Sequence, residues 1–482
     1  MPANQAFNTA GGGFRGLRES NGKADEQQQQ QLYSDKLKQI EELTKEISDD
    51  FAGVISILPM SAIDNSFDSK QNSSATSAMK YFAVGESNRE NSIKYKNEAV
   101  FPIGSNTKLY VAVAMYQLQE RGVLNVTDFV NDYITAKDFA SFNARGNSTF
   151  SEKDGRWCPR INGSTSTECQ NISFVNLMEM SSGIVHPLNC DDGNLEAPYC
   201  FWKNTDIYQY SGAIKDYIGL FINEPLMFAP GAKYSYANSN WNLLSFIIEK
   251  LTGMTLGDYM SENIFKHILP EKRARGENTI MYDPFAGQFQ FVKNRVDSYR
   301  KYVNGDTNAT MSVGSCRPFL APGLANGAGG FWATTEAHVE FYRLLFNGPK
   351  LGGPILSDAS VREILKPRMA TTPAAKYFFG QGITVRYQYE NSTFPAAISY
   401  CGGIDCTSTC IVQTKDGIFT SFSTLDIATM SSQDYEELHH TSVLTSLFDG
   451  VLGDALTENI AAAVLGEVVT IWEQPSTSGK ST

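Results

Sequence analysis

Strand-type segments gather at the two ends of this 482-residue chain, while the long middle reads as helix and loop. Near the start, Phe51-Ala-Gly-Val-Ile-Ser-Ile-Leu58 and Lys80-Tyr-Phe-Ala-Val84 have the β-branched and aromatic density of paired strands. The last third holds Gly382-Ile-Thr-Val-Arg-Tyr387, Ala397-Ile-Ser-Tyr400, Cys410-Ile-Val-Gln413 and Ile418-Phe-Thr-Ser-Phe422. Strands at both ends with helices between them imply one sheet split by a helical insertion, an α/β (α+β) class of fold.

The helical signals are strong. Leu32, Leu37, Ile40, Leu43 and Ile47 recur at helical spacing, and Leu109-Tyr-Val-Ala-Val-Ala-Met-Tyr-Gln-Leu118 is an apolar helix stopped by Gly122. Further helices are expected at Phe174 to Met180, at Asn240 to Leu251 ahead of Gly253, and at Gln433 to Val451. The expected organisation is a polar, disordered head over residues 1–31 and a discontinuous sheet domain over 32–104 and 310–472. A mainly helical insertion with cysteine-bearing loops fills 105–309, and a disordered tail covers 473–482. In the head, residues 11–16 match GxGxxG, but no strand precedes them and no βαβ pattern follows, so the dinucleotide reading fails.

Hydrophobic residues at 42% and aromatics at 12% supply a sizeable core. Net charge is −12, from 40 basic against 52 acidic residues, with no run of Lys and Arg. That balance argues against nucleic acid and anionic membrane surfaces as partners. No stretch reaches the 18 or so apolar residues of a membrane span, and the first 50 residues lack the apolar core of a signal peptide.

Eight cysteines form an even set, and Cys158 with Cys169 and Cys190 with Cys200 are spaced for local disulfides. Such pairs favour an extracellular or endomembrane lumen, against the missing signal peptide. Seven Asn-x-Ser/Thr sequons, at Asn72, Asn125, Asn147, Asn162, Asn171, Asn308 and Asn391, are the basis for expecting a glycoprotein. Cys401, Cys406 and Cys410 form a cluster whose spacing is not that of a zinc site, and no His lies nearby, so neither metal nor cofactor is expected. The sequence carries no signal for oligomeric state.

Ser-x-x-Lys occurs four times, at Ser20, Ser77, Ser105 and Ser298, and only Ser105 stands at the start of a strong apolar helix. On a helix, residues i and i+3 share a face, so Lys108 can bring its amine beside the Ser105 hydroxyl. The helix N-terminus adds backbone N–H groups suited to a developing oxyanion, and burial would lower the Lys108 pKa to that of a usable base. The ordinary alternative is a Ser N-cap followed by a surface Lys. Tyr-x-Asn is as common, at Tyr95, Tyr236, Tyr302 and Tyr389, and only Tyr236-Ala-Asn238 lies just ahead of an amphipathic helix. There the bland reading is a core Tyr and a capping Asn.

Taken in order, Phe101-x-x-Gly-Ser-x-x-Lys108, Met180-Ser-Ser-Gly-Ile184 and Pro230-Gly-x-x-x-Ser-Tyr-x-Asn238 resemble the serine β-lactamase and penicillin-binding protein superfamily. The resemblance is to its class C β-lactamase, D-aminopeptidase and esterase-like branch, and it extends through Gly329-Gly-Phe-Trp-Ala-Thr-Thr335 and Phe379-Gly-Gln-Gly382. It implies a β-lactamase/transpeptidase-like fold, an antiparallel sheet flanked by helices. It also implies an acyl-serine mechanism in which Ser105 is the nucleophile and Lys108 and Tyr236 share the proton. Asn238 would bind substrate, and the third motif falls at Tyr400-Cys401-Gly402, with Ser105 and Gly403 supplying the oxyanion N–H groups. Tyr400 departs from the Lys or His expected there, and a neutral hydroxyl cannot pair with a substrate carboxylate. The expected function is therefore a serine hydrolase acting on a small-molecule or peptide ester or amide, more esterase- or peptidase-like than an efficient β-lactamase. The alternative is a chain that has lost turnover and binds a ligand or partner through the same cleft. A Ser-His-Asp esterase is disfavoured, because no GxSxG occurs and His186, His267, His338, His439 and His440 sit in no triad context.

Overall fold

The computed structural model describes residues 51–59, 78–142, 151–186, 214–282, 292–316, 322–347, 351–370, 377–386, 395–404, 406–414 and 417–430, with the single positions Lys38, Glu41, Glu42 and Lys45. The chain divides into two units, Met1–Asp49 with Glu458–Thr482, and Asp50–Thr457. In the first, the four described positions are helical, and Lys45 Nζ donates to Glu41 at 3.2 Å across one exposed turn. The expected head, tail and last helix, and Cys190 with Cys200, lie outside the described residues.

In the second unit an early segment and a late segment build one antiparallel sheet. Its strands are β1 (Gly53–Pro59), β2 (Lys80–Val84), β3 (Met369–Ala370), β4 (Tyr377–Phe379), β5 (Thr384–Arg386), β6 (Ala397–Ile404), β7 (Thr407–Thr414) and β8 (Gly417–Ser423). They run in the order β3-β4-β5-β6-β7-β8-β1-β2. The expected split sheet is therefore present: β1 pairs with β8, with Ser56 facing Thr420, so the first strand lies beside a partner over 350 residues away. β1 and β8 are buried along their whole length because they occupy the sheet interior, whereas β2, with Lys80 exposed, forms an edge.

Four helices frame the site. Helix α1 (Thr107–Glu120) is buried at every position from Thr107 to Leu118, as an all-round apolar helix must be. Helix α2 (Asn238–Thr252) packs against it and ends at Gly253 in the left-handed region, a conformation glycine adopts without steric cost. Helix α3 (Thr335–Phe346) lies across β1 and β8, and α4 (Asp358–Leu365) leads into the β3 edge. Among the described residues no helix is long and apolar enough to cross a membrane.

Two three-stranded sheets went unread in the sequence. Ser298–Asn304 pairs with Thr310–Cys316 and, in parallel, with Leu425–Met430. Phe331–Ala333 pairs with both Phe101–Pro102 and Ile280–Tyr282. Their segments are short or polar, so neither a strand period nor an apolar run marks them. The second sheet matters for function, because it fixes the chain entering Ser105: Ile103 N–H donates to Phe331 O at 2.9 Å, and Phe331 N–H donates to Thr107 Oγ1 at 3.2 Å.

Cys158 and Cys169 form the expected disulfide. Cys401 and Cys410, which face each other across β6 and β7, form another, and Cys406 is likewise disulfide-bonded. Zinc binds thiolates, and sulfurs joined in disulfides do not present them.

Candidate active site

Ser105 sits in a single 3-10 turn, Gly104–Asn106, that feeds directly into α1. The turn rests on β6 and β7. Asn106 Nδ2 donates to the carbonyl and hydroxyl oxygens of Thr409 at 2.8 and 3.1 Å, and Thr409 Oγ1 bonds Ile103 O at 3.0 Å. Gly104 holds φ of +50°, and a Cβ there would come within 2.9 Å of the Gly403 nitrogen. Glycine at 104 and 402 thus lets the Ser105 turn and β6 approach backbone to backbone. The N–H groups of Ser105 and Gly403 belong to these two apposed segments.

The helical i, i+3 relation does what its spacing predicts. Lys108 Nζ donates to Ser105 Oγ at 2.8 Å and to the Ala328 carbonyl at 2.6 Å. On the other side of the same oxygen, Tyr236 OH lies 2.7 Å from Ser105 Oγ and donates to Asn238 Oδ1 at 3.2 Å. The structure thus brings together Ser105, Lys108, Tyr236 and Asn238 from two segments 131 residues apart. Tyr400 on β6 stands beside Tyr236, close enough for each phenol to shift the other's pKa, and Gly402 lies against the Ser105 turn.

Burial sets the protonation of this cluster. Lys108 is wholly shielded from solvent, and loss of water drives its ammonium well below the ordinary lysine range. Burial pushes the Tyr236 phenol up to about 12, while the hydrogen bonds from Ser105 and Tyr400 act in the opposite direction. Tyr400 is raised well above an ordinary phenol, first by burial and then by the neighbouring Tyr236 and Tyr234. Burial thus favours the uncharged amine of Lys108 and the uncharged phenols of Tyr236 and Tyr400. Ser105 keeps partial exposure, so a carbonyl can reach it.

Four neighbours of the site had no readable signal. The Ala328 carbonyl that holds Lys108 is backbone at the end of Pro322–Gly329. Asn106 and Thr409 belong to no motif that marks them as site residues. His186, dismissed with the other histidines as a triad member, stands beside the site, its ring 6.0 Å from that of Tyr236.

Known proteins share this architecture. The chain superposes on a penicillin-binding protein from Bacillus halodurans with a TM-score of 0.54 at 16% identity, over 83% of this chain and 98% of that one. D-amino acid amidase from Ochrobactrum anthropi gives 0.57 at 14%, over 88% and 97%. EstCE1, described as a hydrolase with promiscuous acyltransferase activity, gives 0.60 at 14%, over 90% and 98%. In sequence, a protein of Salmonella newport provisionally named a D-alanyl-D-alanine carboxypeptidase is 22% identical over 277 residues. That match spans 55% of each protein, so the chain spans about half the length of the curated relatives it matches. The sequence profile of the Beta-lactamase family matches residues 75–439, about three quarters of the chain and all of the site described above, and the chain belongs to that family.

Proposed function

We propose that this chain is a serine hydrolase that forms an acyl-enzyme on Ser105 from an ester or amide lacking a carboxylate beside the scissile bond. The observation that carries the reading is the position of Ser105 Oγ, 2.8 Å from the Lys108 amine and 2.7 Å from the Tyr236 phenol. Penicillin-binding, amidase and acyltransferase-capable hydrolase neighbours on the same fold are consistent with it.

The chemistry follows from the protonation states. A neutral Lys108 accepts the Ser105 proton as Oγ bonds to the substrate carbonyl carbon, and the carbonyl oxygen takes the negative charge. Backbone N–H groups of Ser105 and Gly403 receive that oxyanion. When the C–O or C–N bond breaks, the leaving group takes a proton from Tyr236, and the proton held on Lys108 restores the phenol. Water then repeats the sequence in reverse, cleaving the acyl–Oγ bond. Asn238, at hydrogen-bond distance from Tyr236, orients the phenol and offers its amide to substrate.

Tyr400 decides substrate class. It is a neutral phenol beside Tyr236 where a cation would pair with a substrate carboxylate. Uncharged esters and amides suit such a pocket; penicillin-like substrates do not. A chain that only binds ligand would have no use for a desolvated amine aimed at a serine hydroxyl, and this favours turnover over binding alone.

The test is a fluorophosphonate probe followed by peptide mapping, with a panel of p-nitrophenyl esters, D-amino-acid amides and nitrocefin. The expected outcome is label on Ser105 and turnover of esters or amides above nitrocefin. An unlabelled Ser105, under conditions that label a control serine hydrolase, overturns the proposal.

A further inference from the structure

Gly402 and Gly403 follow one another inside β6, beside the Ser105 turn. Two consecutive glycines make a weak stretch of strand, because they bring no side chain to pack and the widest range of backbone dihedrals. Position 402 admits nothing larger, since a Cβ there would meet the backbone of Ile103 and Ser105. Gly402 is buried against the turn, and Gly403 is exposed. The backbone that must hold an oxyanion donor steady is therefore the part of β6 least able to steady itself.

The residue just before this pair is Cys401, which the register sets opposite Cys410 on β7 and a disulfide joins to it. On the next rung Gly402 faces Thr409. Thr409 Oγ1 shares its proton between Gly402 O at 3.1 Å and Ile103 O at 3.0 Å, and it accepts from Asn106 Nδ2 at 3.1 Å. One rung is thus covalent, and its neighbour carries the Ser105 turn. Side chains alternate along a strand. Tyr400 and Thr409 face the site, so the sulfurs of Cys401 and Cys410 lie on the other face of the sheet. In the chain-entropy account, a disulfide stabilises by closing a loop in the unfolded chain, and the gain shrinks with the loop. Here the sequence separation is only 9, within a hairpin already paired from Ala397 with Thr414 to Ile404 with Thr407. The bond is better placed to stiffen two rungs than to hold the fold together.

We infer that Cys401 and Cys410 are positioning residues, whose disulfide holds Gly402 and Gly403 at the spacing from the Ser105 turn that oxyanion binding requires. This rests on the acyl-serine reading for its kinetics and not for its geometry. Negative charge on the carbonyl oxygen develops only toward the transition state. A slackened donor therefore weakens that state while substrate binding changes little, and the disulfide acts through kcat.

The experiment compares the wild type with Cys401→Ala/Cys410→Ala and Cys401→Val/Cys410→Val, assayed well below their melting temperatures. Valine returns apolar volume and a favourable cross-strand pair without the covalent bond. The control is Cys158→Ala/Cys169→Ala, which opens a loop of similar length whose neighbours bond Asn131 instead of the Ser105 turn. The expected result is a roughly tenfold fall in kcat for p-nitrophenyl butyrate in both Cys401/Cys410 variants, smaller than the loss of a whole donor, with KM within about twofold of wild type. The control should keep the wild-type kcat. An unchanged kcat in the alanine variant makes the disulfide a stabilising bond alone, and a kcat restored by valine makes it mere packing; either overturns the assignment. Amide hydrogen exchange gives a readout without turnover. Peptides covering 103–106 and 400–404 should exchange at least about tenfold faster in both variants, while 53–59 in β1 keeps the wild-type rate. If the wild type turns over no ester or amide and takes no fluorophosphonate at Ser105, the acyl-serine reading fails, and exchange decides the disulfide's role alone: local acceleration sustains it, and none or a uniform one removes it.

Discussion

A side chain at Gly402 would stand 2.6 Å from the backbone nitrogen of Ser105 and 2.2 Å from the carbonyl oxygen of Ile103. No rotamer relieves a clash between Cβ and backbone, so Gly402→Ala must part β6 from the Ser105 turn. The expected cost is about 1–3 kcal/mol of stability, as for other overpacked interiors. Turnover should fall by about 10²–10³-fold, the loss seen when one oxyanion donor is displaced. Gly403→Ala is the contrast, because its nearest neighbour would be Thr407 O at 3.6 Å, an ordinary contact. Thermal melts should separate the two: Gly402→Ala melts several degrees lower, and Gly403→Ala melts with the wild type.

Lys108 makes a stability prediction with a definite sign. Its folded-state pKa lies well below the ordinary value of 10.5, so between those two values the unfolded chain binds a proton that the native state does not. Stability contributed by this site therefore rises with pH across that window and is lowest below the folded pKa. Lys108→Met removes the titration. As the pH rises toward 10.5, the melting temperature of the variant, measured against the wild type, should fall steadily as the wild type gains, while kcat/KM is at least about 10²-fold down throughout, the usual contribution of a general base. A pH-independent difference in melting temperature would mean that Lys108 stays protonated in the fold.

Tyr400 stands beside Tyr236 and lowers its pKa, the direction in which a cation at this position would act. Removing the hydroxyl in Tyr400→Phe should lower kcat by about tenfold with little change in KM, the value of one hydrogen bond felt as charge develops on the Tyr236 oxygen. Tyr400→Lys should instead raise the kcat/KM of carboxylate-bearing substrates relative to uncharged esters. An unchanged preference in the lysine variant would place the carboxylate-binding position elsewhere than on β6.

The legible parts of this molecule are those governed by short-range periodicity. Leu109 to Leu118 announced a buried helix because it is apolar on every face, and Ser105 with Lys108 announced a pair because i and i+3 share a face. Tyr236 and Asn238 could be singled out because they precede a helix start, and the structure sets both at its N-terminus. Illegible were the contacts made by backbone or by distant residues. Nothing local in Gly327-Ala328-Gly329 says that its carbonyl accepts from Lys108 Nζ, and nothing near Tyr400 says that it stands beside Tyr236. Ser298–Asn304 escaped notice as a strand because its side chains are half-buried and polar, so pairing, not periodicity, makes it one. His186, like the other histidines, shows no triad context in the sequence; only its place near Tyr236 separates it from His338, which bonds Tyr110 inside the core.

Asn106 tests whether the Ser105 turn is held or merely adjacent. Its Nδ2 reaches both oxygens of Thr409, which in turn bonds Ile103 and Gly402, so one amide ties the nucleophile's turn to the strand that carries the oxyanion partner. Asn106→Ala leaves the Thr409 carbonyl short of a donor in a buried place, at a cost of about 1–3 kcal/mol. Asn106→Asp keeps the shape and loses the donor, so it isolates the hydrogen bond from the packing. Both variants should be labelled by a fluorophosphonate at least about tenfold more slowly than the wild type, because a nucleophile misplaced by a fraction of an ångström loses its near-attack geometry. Labelling at the wild-type rate, in protein whose melting temperature has dropped, would make Asn106 a purely structural residue and leave the Ser105 turn fixed by Gly104, Phe331 and α1 alone.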